Sequence, residues 1–177
     1  MATNLSLGRL EPDKDNVGGL KNVYFINRTT GLESSATFDS DEQITAFASL
    51  LTLLKYELRG TGHSFSQTTE TSGDNGTTFT TQTLTFNLKV QGVASRKELQ
   101  LASFNMPHII VQDYNGNYQF MGLENGCDVN VDTVSGGAMG DLNGYTVTVT
   151  ATEKNVAHFV SSSIIGDDTN TSITVGT

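Results

Sequence analysis

Apolar residues recur at every second position in two long stretches of this chain. Leu54-Lys55-Tyr56-Glu57-Leu58-Arg59 alternates on the way into a Thr/Ser-rich segment centred on Asp74-Asn75-Gly76. Leu84-Thr85-Phe86-Asn87-Leu88-Lys89-Val90 alternates on the way out. That period puts one face of an extended strand against a core. Asp-Asn-Gly suits the positive φ of a tight turn, so the two stretches predict one hairpin, with arms from Leu53 to about Thr71 and from Thr77 to Val90. Arms of roughly 12 to 15 residues, at about 3.3 Å each, would span about 40 to 50 Å. Strands in compact domains usually hold about 5 or 6 residues. A ribbon this long is expected to project past its own core and to need neighbours. Gly60 and Gly62 interrupt the first arm and predict a kink there.

The same pattern places the other elements. Leu20–Arg28 predicts a strand with Val23 and Phe25 on one face. Residues 36–47 predict a short hairpin through Asp39-Ser40-Asp41, and strand character resumes by Leu53. Ser95-Arg96-Lys97-Glu98 has the spacing of a capping box and predicts a helix from Arg96 to about Phe104, with Leu99, Ala102 and Phe104 inward. Pro107–Tyr114 and Asn117–Leu123 flank Asn115-Gly116, a strong hairpin signal. Cys127–Val131 and Tyr145–Thr152 predict further strands around the Gly-rich loop 135–141. Residues 1–19 and 161–177 are polar and predict two arms, the second disordered or paired to a neighbour. The whole predicts one mainly β domain over residues 1–177, a small β-sandwich or barrel with a long projecting hairpin and one flanking α-helix.

On the second hairpin arm, Thr81, Thr83, Thr85 and Asn87 share the face away from the core. An exposed surface would ordinarily carry Lys and Glu there. The net charge is −9, and residues 100–177 hold only Lys154 against eight acids. Nucleic-acid binders present a basic stripe, whereas a negative surface repels phosphate. A surface past which DNA moves without sticking is compatible with that balance. Cys127 is the lone cysteine, so an internal disulfide or Cys-based zinc site is ruled out, and a buried thiol is expected. Met1-Ala2-Thr3-Asn4-Leu5 lacks the basic and apolar segments of a secretory signal. The longest apolar stretch, Ile44–Leu54, is about half the length that crosses a bilayer. A soluble chain made in a cytoplasm, without membrane insertion, is expected.

Catalytic groupings are thin. His63, His108 and His158 lie far apart and have no metal-type partner spacing. Gly-x-Ser-x-Gly and phosphate-loop motifs are absent from the sequence. Asp13, Asp15, Asp39, Asp41 and Glu42 lack calcium-loop spacing. The chain is expected not to be an enzyme and to hold no metal or cofactor.

Three segments, Arg96–Phe104 (RKELQLASF), Pro107–Asp128 (PHIIVQDYNGNYQFMGLENGCD) and Gly136–Lys154 (GGAMGDLNGYTVTVTATEK), resemble virion tail proteins of tailed bacteriophages. The order of long hairpin, helix, hairpin and closing strand is similar to the tail-tube fold, over roughly residues 50–160. The resemblance implies a subunit that forms stacked, hexameric rings with copies of itself, works beside other phage tail proteins in the virion, and lets double-stranded DNA pass transiently. It equally implies a single-ring terminator, initiator or hub of the same fold. If six copies gave about four strands each, about 4.8 Å spacing and a tilt near 40° would make a circle about 50 Å across, with a bore of about 35 to 40 Å. The contrasting reading is a β-sandwich that binds a receptor or carbohydrate, although the chain has no Trp and only five Tyr to serve as stacking platforms. For assembly, Tyr56, Leu58, Phe65, Asn75, Phe79, Leu84 and Phe86 on the hairpin are the expected contacts between subunits.

Overall fold

A computed structural model describes residues 7–176. The opening Met1–Leu5 and the first part of the N-terminal arm lie outside them. Over the described residues the protein is mainly β, with two sheets and one long helix, and the sheets do not close into a barrel.

The strands are β1 (Leu20–Ile26), β2 (Ala36–Phe38), β3 (Ile44–Phe47), β4 (Leu51–Glu57), β5 (Ser64–Ser72) and β6 (Thr77–Lys89). They continue as β7 (His108–Asp113), β8 (Tyr118–Met121), β9 (Asp128–Val134), β10 (Gly144–Glu153), β11 (His158–Val160) and β12 (Thr171–Val175). A single helical turn, α1 (Leu32–Ser35), precedes β2, and the long helix α2 (Val93–Asn105) separates β6 from β7. Eight strands form the larger sheet in the order β12-β4-β1-β7-β8-β11-β3-β2, and four form the smaller one in the order β5-β6-β10-β9.

The uninterrupted apolar runs in β1 and β7 arise because these central strands are buried on both faces. Val23, Phe25, Ile109 and Val111 meet Leu84, Phe86, Val147 and Val149 of the smaller sheet in one core. Tyr24, Ile26 and Ile110 turn the other way, into a second core with Ile44, Phe47, Leu53 and Phe120, around which the larger sheet curls. The expected hairpins at 36–47 and around Asn115-Gly116 are both formed.

The long ribbon is not one hairpin. Its first arm splits at Arg59–His63, where the chain leaves the larger sheet after β4 and enters the smaller one as β5. Gly60 (φ 102°) and Gly62 (φ 91°) take the left-handed conformations that this crossing needs. Both halves alternate because both set their apolar side chains against the same core, Tyr56 and Leu58 from one side and Phe65 from the other. The hairpin that remains pairs Ser64–Ser72 with Thr77–Thr85. From Thr80 to Lys89, β6 is also paired with β10. Only the outer few residues and the turn extend past that partner.

Other expectations change in detail. The helix starts at Val93 behind an extended Gly92 with no side-chain cap, so Ser95 lies inside the first turn and the capping box is not made. Leu99 is buried, but Phe104 is 76% exposed because it lies at the wall of an open groove beside β1 and β4 rather than inside the core. The C-terminal segment is not a free arm: β12 runs parallel to β4 in the same chain, from Thr171 beside Leu51 to Val175 beside Lys55. Asp167 organises the turn before it by accepting from the backbone N–H groups of Thr169, Asn170 and Thr171. Residues 7–18 are exposed and belong to no helix or strand.

Candidate functional site

The unbroken pairing of the smaller sheet fixes what each of its faces carries. Side chains alternate across a strand, so with Leu84, Phe86, Val147 and Val149 inward, the intervening residues all point out. Reading across the sheet, Ser64, Thr85, Thr148 and Asn130 stand in one row. Ser66, Thr83, Thr150 and Asp128 stand in the next, and Thr68, Thr81 and Thr152 in a third. Asn87, Thr146 and Asp132 extend the field at its other end. Rows are about 7 Å apart along the strands and neighbours about 4.8 Å apart across them. Lysine and arginine are confined to its limits, at Lys89 and Lys154. The acids on it are Asp128, Asp132 and Glu70, so the field is neutral to weakly negative. Cross-strand Thr–Thr neighbours suit a pleated surface and hold it together.

The inner face changes character along the hairpin. Leu84 and Phe86 lie in the apolar core, followed by an amide layer. There the buried Gln82 accepts from Gly122 N–H (3.1 Å), while Gln67 accepts from Ala157 N–H (2.7 Å) and donates to Gln119 Oε1 (3.2 Å). Beyond it come only hydroxyls, with Thr69 and Thr80 in contact at 3.1 Å. Past that point the hairpin is polar on both faces apart from the exposed Phe79, and exposed throughout except for the half-buried Ser72.

Two edges are open. Among the described residues, β5 has no partner on the side away from β6, and β9 has none on the side away from β10. The tip around Asp74-Asn75-Gly76 leaves one end of the sheet. At the other end stand Val90 (75% exposed), Val93 (87%) and the loop tip Met139, fully exposed. That loop is held by Asp141, whose carboxylate accepts from Gly137 N–H (2.9 Å) and Ala138 N–H (2.8 Å). Those two bonds also hold its pKa below the ordinary carboxylate value.

The residues expected at subunit contacts divide. Leu84 and Phe86 are fully buried and Leu58 nearly so, which removes them as contacts: their alternation reports the protein's own core. Phe65 and Tyr56 are half-buried against the same core, Tyr56 edge-on to Phe25 with ring centroids 5.0 Å apart. Asn75 and Phe79 are exposed on the hairpin and remain available. The outward Ser and Thr of β5 and β10 belong to the same field, beyond the residues expected from the sequence. Their signal was the odd-position Thr run of β6 repeated in YTVTVTAT.

The histidines serve the fold. His63 sits at the crossing between sheets, where Nδ1 accepts from Asn87 N–H (3.2 Å) and Nε2 lies 3.4 Å from the Arg59 carbonyl. It is buried. His108 is fully buried, with Nδ1 2.6 Å from the Gly122 carbonyl and Nε2 accepting from Thr29 N–H at 3.2 Å; burial pushes its pKa down. His158 Nδ1 is 3.0 Å from the Glu42 carbonyl. Glu153 is buried and accepts from Glu124 and Asn125 N–H groups, and burial raises its pKa. Cys127 is fully buried, which raises its thiol pKa far above the usual range. Among the described residues, no three His, Cys, Asp or Glu side chains gather as a metal site, and no helix is long and apolar enough to cross a membrane. No family model, curated protein or solved structure matches the chain.

Proposed function

We propose that this chain is a structural subunit of the phage tail-tube type, in which the four-stranded sheet lines the bore of a ring made from copies of the chain. The observation that carries the proposal is the Ser/Thr field between two edge strands, β5 and β9, that pair with no further strand among the described residues. An open edge presents unpaired N–H and C=O groups, and joining edges into a closed circle removes them. The strands β5, β6, β10 and β9 alternate in direction. When β9 of one copy meets β5 of the next by rotation about the ring axis, the seam is antiparallel too. Such a contact is heterologous and closes by rotation.

Six copies of four strands give the circle about 50 Å across already derived from strand spacing and tilt. The Ser/Thr face turned inward then meets the duplex. Cations there would bind phosphates through counterion release, and this face has them only at its limits. Neutral hydroxyls and a few carboxylates let the polyanion slide. The polar hairpin tip at one end of the sheet and the Val90, Val93 and Met139 group at the other supply different surfaces for stacking ring on ring. This favours a repeating tube subunit over a single ring. The contrasting receptor-binding role would use exposed aromatic platforms, and on this face Phe79 is the sole aromatic side chain.

Negative-stain microscopy of the purified full chain across a rising concentration series tests the proposal. Rings or tubes with a central bore are expected. A monodisperse monomer by sedimentation velocity throughout that series would refute it.

A further inference from the structure

A groove of about 530 Å³ runs between α2 and the β1–β4 pair, with apolar walls from Phe25, Leu54, Tyr56, Leu101 and Phe104 and with Glu98 as its charged group. Leu101 (50% exposed) and Phe104 (76%) leave much of the helix side uncovered. Glu98 lies close enough to Tyr56 to add to the rise that burial causes in the tyrosine pKa. The N-terminal arm carries matching chemistry: Leu7 and Leu10, each 91% exposed, flank Arg9. Its base is clamped to the β7–β8 turn, where Val17 N–H donates to Asn115 Oδ1 (3.1 Å) and Asn115 Nδ2 donates to the Val17 carbonyl (2.7 Å). That clamp sits at the Leu20 end of β1, whereas the groove borders Phe25, Ile26 and Asn27 at the opposite end. The arm therefore starts at the end of β1 far from its own groove, and its two leucines stand in solvent.

We propose that Leu7–Leu10 of one copy seats in the groove between α2 and β1/β4 of a second copy, with Arg9 paired to Glu98. The proposal rests on the reading that copies of this chain associate, though not on their closing into a ring. The leucines supply apolar surface to the walls, and the opposite charges fix the register and select the partner.

Cross-linking in the full chain tests it, because the native Cys127 is fully buried. Leu10→Cys and Leu101→Cys chains are made separately, checked for native circular dichroism, mixed and oxidised. The expected result is a covalent heterodimer of twice the 19.0 kDa chain mass. Adding Arg9→Glu to the first chain or Glu98→Arg to the second should each cut its yield at least tenfold at low salt, and both together should restore it. No heterodimer from the mixture overturns the proposal. So does a disulfide formed only within a single L10C/L101C chain without gain in mass, since the arm would then cover its own groove. Rings that assemble without the cross-link remove this contact and leave the tube reading standing. Cross-linked copies that never form rings do the reverse.

Discussion

Shortening the β5–β6 hairpin separates the role proposed for it in assembly from its role in the fold. Glu70 and Phe79 face each other in the pairing, so replacing Thr71–Thr78 with Asn-Gly closes that pair with a two-residue turn. Every residue removed is exposed except the half-buried Ser72, and all lie beyond Thr80, the last residue of β6 paired with β10. Apolar burial is therefore unchanged, and the hydrophobic contribution to stability with it. The losses are two outer pairs and two long contacts, Thr78 Oγ1 to Thr71 Oγ1 at 3.4 Å and Asn75 N–H to Ser72 Oγ at 3.3 Å. Exposed hydrogen bonds are largely replaced by water, so the net change should stay within about 1 kcal/mol. The tip retreats by about 7 Å at 3.3 Å per residue. Urea unfolding measures the first quantity, and sedimentation with negative-stain microscopy measures assembly. Native stability with rings that fail to stack into tubes is expected. Tubes of native length would refute the assignment of the tip to stacking. A drop of several kcal/mol would refute its placement outside the core.

Gly144→Ala should destabilise by about 1 to 3 kcal/mol or more through overpacking, because a Cβ there would overlap the Leu88 carbonyl at the start of the β6–β10 pairing. Gly140→Ala, which meets nothing within 4 Å, should stay within about 0.5 kcal/mol; equal thermal midpoints for the two variants would contradict this packing. His108 is held neutral, with its folded pKa below the ordinary 6.5. Between the two values the unfolded chain binds more protons, so this contribution is complete above about pH 6.5 and is lost as pH falls towards the folded value, at about 1.4 kcal/mol per unit of difference. Glu153 acts in the opposite sense at lower pH, since its folded pKa lies above the ordinary 4.5. The His108 share is therefore read as the difference in pH slope between the native protein and His108→Gln, and equal slopes between pH 7.5 and 5 would exclude it.

Much of the fold could be read along the chain because its determinants are local. The β7–β8 hairpin follows from two apolar runs around Asn115-Gly116, and β10 from strict alternation. The split between β4 and β5 could not be read that way. Residues on both sides of Gly60 and Gly62 keep the same period because they face one core from two sheets, so periodicity reports a buried side without saying which sheet the strand joins. The same ambiguity turned Leu58, Leu84 and Phe86 into expected contacts between subunits. The pairing of β12 with β4 joins residues more than a hundred positions apart, and nothing local specifies it. The Ser/Thr field was legible on β6 alone; its width depends on the register that sets Thr85 beside Thr148 and Ser64.

An even count of alternating strands per protomer leaves the number of protomers unconstrained by chain direction. Five, six or seven such units could each join first strand to last with no mismatched seam. Bore diameter would then depend on the angle at one junction, between the outer rims of β5 and β9. A few side chains along that junction, rather than the fold, would set the gauge of the conduit.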